Sequence, residues 1–192
     1  MTNYVALLRA VNVGGTGKLP MADLKRICID AGFTQVETYI ASGNVMFVSK
    51  AAPAKVKSEL EKRLRDYAGK AVSVMVRTAS EIEAVLKSNP FPKAPPNYTY
   101  AIFLDDEPPR QALKHAKGVN GEDMRLGKRE IYVCYPAGMG TSGKCRAVEV
   151  ILAIRSFQWC QKESGGSCND ASPQSMIADF LAAGDSSASR SV

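Results

Sequence analysis

Two short polar stretches hold the residues whose types and spacing could do chemistry. Arg9, Asn12, Gly14, Gly15 and Lys18 follow the apolar run Tyr4 to Leu8, and Ser42, Gly43 and Asn44 interrupt a second apolar run. A guanidinium, an ammonium, amides and a hydroxyl around glycine backbone suit a small anion such as a phosphate or carboxylate. Peptide N–H groups left free by tight bends can converge on such a ligand. Pro20 fits the first position of a helix, and the unpaired N–H groups and positive dipole end of that helix would point to the same place. Arg9 ends a buried strand, where a guanidinium without a partner is costly, so it must emerge at the edge or be met there. The same residues also have a structural reading. The glycines would then serve turn geometry, and Asn12 and Asn44 would bond loop backbone alone. In these two stretches neither G-x-x-x-x-G-K-[ST] nor G-x-G-x-x-G occurs, which argues against a P-loop and a dinucleotide-binding turn there.

Other chemistry is thinner. The single histidine, His115, lies in ALKHAK on an expected surface helix, and no nucleophile-elbow sequence accompanies it. Asp105, Asp106 and Glu107 could hold a metal, but the two prolines after them fit a helix start better. The five cysteines (Cys28, Cys134, Cys145, Cys160 and Cys168) contain no C-x-x-C pair. Their odd count argues against a disulfide framework and against zinc. No metal and no cofactor are expected.

The elements that must position these residues follow from apolar periodicity. Strands are expected at Tyr4 to Leu8, Val36 to Ile40, Asn44 to Val48 and Val72 to Val76. Helices are expected from Pro20 to Gly32 and from Pro53 to Gly69. The order β-α-β-β-α-β with a central hairpin is the ferredoxin-like split arrangement, which makes 1–78 a first subdomain. In that topology the bend at Asn12 to Lys18 and the turn at Ser42 to Asn44 share one sheet edge. A helix capped by Thr78 or Ser80 and a proline-rich linker occupy 79–97. A second ferredoxin-like half covers 98–155: a strand at Tyr98 to Leu104, a helix from Pro108 through Leu113 and Ala116, and a hairpin across Gly127, Lys128 and Arg129. A second glycine bend at Pro136 to Gly140 and a helix to about Ile154 follow. That leaves the half one strand short, so the second half of this α+β fold is incomplete or altered at its C-terminus. Residues 156–192 are expected to be a divergent tail, frameshifted or disordered in the alternative.

The chain carries a formal net charge of +6, and residues 1–96 hold all of that excess. A basic half can attract nucleic acid, anionic metabolites or an acidic protein, or can be a solvated face. RNA-recognition modules of this topology stack bases on their first and third strands, where Tyr4 and Phe47 are the candidates here, but NVMFV lacks the basic-aromatic pattern of such modules and the mostly aliphatic face suits packing instead. No signal peptide opens the chain and no apolar run reaches the roughly 18 residues of a membrane span. A cytoplasmic protein without a membrane partner is expected, and the oligomeric state is open.

The motifs YVALLRAVNVGG, MADL, GF, TYIASGNVMF and REIYVCYPAGMG occur in this order. In them the chain resembles the bacterial "domain of unknown function 1697" family over roughly residues 3–142. The resemblance implies two related ferredoxin-like subdomains and no established activity. It also implies Gly where Ala10 stands, and a Thr-x-Arg-Asn-Trp-Asn strand with a closing helix after the second bend. From Ser142 those motifs are absent and cysteine and serine rise, which points to a translated frameshift or to genuine divergence. Three functions stay open: a binding or regulatory module with an anion-binding edge, an enzyme acting there on a phosphorylated or carboxylated substrate, and a nucleic-acid or protein-interaction module.

Overall fold

β1 (Thr2–Leu8) is buried from Tyr4 to Leu8 without alternation, because both faces of its sheet are covered. The computed structural model describes residues 1–9, 19–39, 43–94, 98–117, 121–136, 146–147 and 157–158. Within them the chain is mixed α and β, with antiparallel sheets and three α-helices. One compact unit holds Met1–Glu83, and a second begins at Ala84.

In the first unit β1 leads to α1 (Met21–Asp30), β2 (Thr34–Tyr39), β3 (Asn44–Ser49), α2 (Pro53–Ala68) and β4 (Val74–Thr78). The sheet order is β2-β3-β1-β4 and all neighbours are antiparallel. Leu24, Ile27 and Cys28 of α1 and Val56, Leu60 and Leu64 of α2 recur at helical spacing, so each helix lays one apolar stripe on the sheet. They meet Tyr4, Ala6, Leu8, Val45, Phe47, Val74 and Val76, which alternate onto that face. Phe33 follows the end of α1 and stacks on Phe47 with centroids 4.4 Å apart. Burying each such side chain stabilises the fold by about 1.5–3 kcal/mol. The opposite face, with Val5, Leu7, Asn44, Met46, Met75 and Arg77, is equally buried. Pro53 opens α2, and Gly69 closes it at φ 67°, a conformation that favours glycine.

The two borders of this sheet are finished differently. β2 carries a register shift between Thr34 and Glu37, and Gln35 lies there at φ 50°. On β4, the bond from Arg9 N to the Ser73 carbonyl (2.9 Å) fixes which groups face β1. The N–H and C=O groups of Val74, Val76 and Thr78 therefore point outward. Side chains meet three of them. Val74 N donates to Glu61 Oε1 at 3.0 Å, Thr78 N donates to Glu81 Oε2 at 2.8 Å, and the Val76 carbonyl accepts from Arg77 Nη1 at 2.9 Å.

α3 (Ala79–Lys87) starts at a reciprocal cap. Thr78 Oγ1 accepts from Glu81 N at 3.2 Å while Glu81 reaches back to Thr78 N.

The second unit builds a sheet in the order β10-β5-β8-β7 from β5 (Thr99–Phe103), β7 (Asp123–Leu126), β8 (Glu130–Cys134) and β10 (Phe157–Gln158). β6 (Ala116–Lys117) and β9 (Arg146–Ala147) pair separately. The expected hairpin across Gly127 to Arg129 is present. The expected helix from Pro108 is not. A single 3-10 turn, Ala112–His115, stands in its place, held by bonds such as Lys114 N to the Gln111 carbonyl (2.9 Å). Two successive prolines keep the preceding backbone extended, and the apolar positions are too few for a full stripe. The helix expected to run on to about Ile154 is also corrected at Arg146–Ala147, which are a strand; the rest of that segment lies outside the described residues. Phe157–Gln158 pair with β5 in the place where the sequence left a strand missing.

Candidate functional site

The edge at which β1 ends is also where β2 ends and where β3 and β4 begin, because all neighbours are antiparallel. Three of the eight expected site residues are described there. Asn12, Gly14, Gly15, Lys18 and Ser42 lie outside the described residues.

Arg9 directly follows β1 and is half-buried. Its backbone extends the ladder to Ser73, so alternation places it on the face of Leu7 and Met75, away from the helices. Among the described residues its guanidinium has no hydrogen-bond or ion-pair partner. Gly43 adopts φ 84°, and its carbonyl accepts from Leu8 N at 3.2 Å. Its glycine identity thus serves turn geometry as well as any ligand. Asn44 sits opposite Leu7, on the same face as Arg9, at 2% exposure. The sheet therefore brings Arg9, Gly43 and Asn44 to one rim. Of the three, Arg9 is positioned to meet solvent and Asn44 belongs to the framework.

α1 begins at this rim, because Asp23 in its first turn accepts from the Tyr67 hydroxyl at 2.7 Å, close to the end of α2. No side chain caps α1, whose first described bonds run from Asp23 N and Leu24 N to the Pro20 carbonyl at 3.0 and 3.1 Å. Asp23 also pairs with Arg26 at 3.2 Å and opposes part of the helix dipole. The rim is thus less positive than the sequence suggested, and Arg9 is its main described cation.

Sequence reasoning passed over two buried charges. Arg77 is 2% exposed on the face of Leu7 and Asn44. Its signal was a lone cation ending the apolar run of β4. Glu130 is 5% exposed in the second unit. It accepts from Lys128 N (3.1 Å), Arg129 N (3.0 Å) and the Tyr132 hydroxyl (3.2 Å). That hydroxyl lies 2.8 Å from the Val85 carbonyl, and burial followed by the Glu130 charge pushes the phenol well above its ordinary range.

Tyr4 and Phe47 pack in the core rather than stack bases. Both are buried on the helix-covered face, and the Tyr4 hydroxyl donates to the Ala51 carbonyl at 2.8 Å. Asp105, Asp106 and Glu107 are exposed, and among the described residues no three His, Cys, Asp or Glu side chains gather as a metal site. His115 ends the 3-10 turn, and its side chain lies outside the described residues. Cys28 and Cys134 are free thiols. Among the described residues no helix is long and apolar enough to cross a membrane.

A family model described as "Protein of unknown function (DUF1697)" matches residues 1–132. The solved structure of the conserved bacterial protein SP0830 from Streptococcus pneumoniae is similar, with 25% identity and a TM-score of 0.60 over 70% of this chain and 77% of that one. No curated protein matches the chain.

Proposed function

The chain belongs to the DUF1697 family, and from that premise, which names no activity, we propose that it binds a small anion, a phosphate or carboxylate, at the rim where β1 ends. The carrying observation is the Arg9 guanidinium, half-buried beside a glycine turn and without a partner among the described residues. Five donors in a planar fork match a carboxylate or phosphate, and partial desolvation strengthens the bond. Lys18, Asn12 and the Gly14-Gly15 bend complete the site in this reading. Both units are read as ferredoxin-like, since each sheet has the strand order expected of a split β-α-β arrangement. The free Cys28 and Cys134 support a reducing, cytoplasmic setting.

Thermal denaturation with phosphate, nucleotides and dicarboxylates tests the site. A ligand at about 100 times its Kd adds about 2.7 kcal/mol to the folded state. Arg9→Met should abolish that gain while the unliganded protein melts as before. A gain that survives Arg9→Met, or no gain with any anion, rejects the rim as the site.

A further inference from the structure

We infer that the solvent face of α2 is a second, separate docking surface, and that its partner is the phosphate backbone of a nucleic acid. α2 holds five Lys or Arg and three Asp or Glu, an excess of two positive charges, and Lys50 and Lys70 flank it. Their arrangement matters more than their number. Lys57 pairs with Glu61 at 4.0 Å and Arg63 with Glu59 at 2.6 Å, each one helical turn away. Lys55, Lys62 and Arg65 are exposed, and among the described residues they have no acidic partner. Lys55 and Lys62 are two turns apart, and Arg65 lies close by on the same side. The row spans about 15 Å at the helical rise per residue. Asp66, which no pair engages among the described residues, lies one turn beyond Lys62 on the same side, so the row carries three cations and one acid.

The chemistry of the face selects the partner. Val56, Leu60 and Leu64 are fully buried, so α2 offers no apolar side to a bilayer. Tyr4 and Phe47 are buried too, which leaves no base-stacking pair on the sheet. The exposed aromatic of α2, Tyr67, is tied through its hydroxyl to Asp23; the cationic row suits contacts to phosphates rather than to base edges, and binding should be independent of sequence.

The test is fluorescence anisotropy with a labelled, mixed-sequence DNA duplex of about 20 base pairs. Contacts to about three phosphates predict a fall in affinity of about 40-fold between about 50 and 200 mM salt. Lys55→Gln, Lys62→Gln and Arg65→Gln together should remove most of the binding and flatten its salt dependence, with unchanged circular dichroism. Arg9→Met should bind the duplex as the parent does, which separates this surface from the rim. Absence of duplex binding at low salt overturns the inference, as does undiminished binding by the triple variant. Equally tight binding of polyglutamate overturns it as well, since the face would then serve any polyanion.

Discussion

Glu130 is a carboxylate folded back into its own turn, and Gly127 makes room for it. A Cβ at Gly127 would stand 2.6 Å from the Glu130 Cδ and 2.8 Å from its Cγ. Gly127→Ala must therefore dislodge a buried acceptor that holds three donors, at a cost of about 1–3 kcal/mol, read as a lower denaturation midpoint. The sequence identified Gly127 as a turn residue, but it gave no sign that the next acid would be buried. That burial depends on β5 and β8 pairing across some thirty residues. The rim was legible in part for the same reason. Arg9, Gly43 and Asn44 were brought together by topology, while the burial of Asn44 depended on what covers the second face. Cys28 has a pH signature. Its thiol is neutral when protonated, and burial pushes it from 9.0 up to about 12. The unfolded chain then loses this proton first. Stability is intact below pH 9 and falls by about 1.4 kcal/mol per pH unit above it. Tyr132, raised from 10.0 by burial, adds to the fall at higher pH. Chemical denaturation on the alkaline side should show a shallower decline for Cys28→Ala than for the parent.

At the scale of elements, punctuation decided what could be read from sequence. Pro53 and Gly69 bracket α2 as expected, and both central hairpins fall where glycine and the apolar pattern placed them. The cap of α3 was narrowed to Thr78 or Ser80, and the reciprocal bonds between Thr78 and Glu81 select Thr78. Thr78→Ala should destabilise the protein by about 1 kcal/mol, whereas Thr78→Ser should be close to neutral, both measured by equilibrium denaturation. The segment after Pro108 had a proline start but no sustained stripe, and it became a 3-10 turn. Proline marks a permitted helix start, but without an apolar face to bury, the helix has little to hold it.

At the scale of the molecule, part of the basic character seen in the composition is a row of exposed cations on one helix, a distinction that residue counts cannot make. Helical spacing alone could not have separated Lys55 and Lys62, which have Glu59 and Asp66 four residues on, from the paired Lys57 and Arg63. The side-chain cover along β4 could not be foreseen in full, because Glu61 comes from α2 and meets Val74 only in the folded unit. That cover bears on solubility over time. An open strand border is a template on which a second chain can lay its own backbone and seed ordered fibres. Glu61, Arg77 and Glu81 occupy that template on β4, and the irregularity at Gln35 interrupts it on β2. Glu61→Ala with Glu81→Ala should expose β4 and shorten the lag of amyloid-dye fluorescence on prolonged incubation, beyond what its loss of stability accounts for.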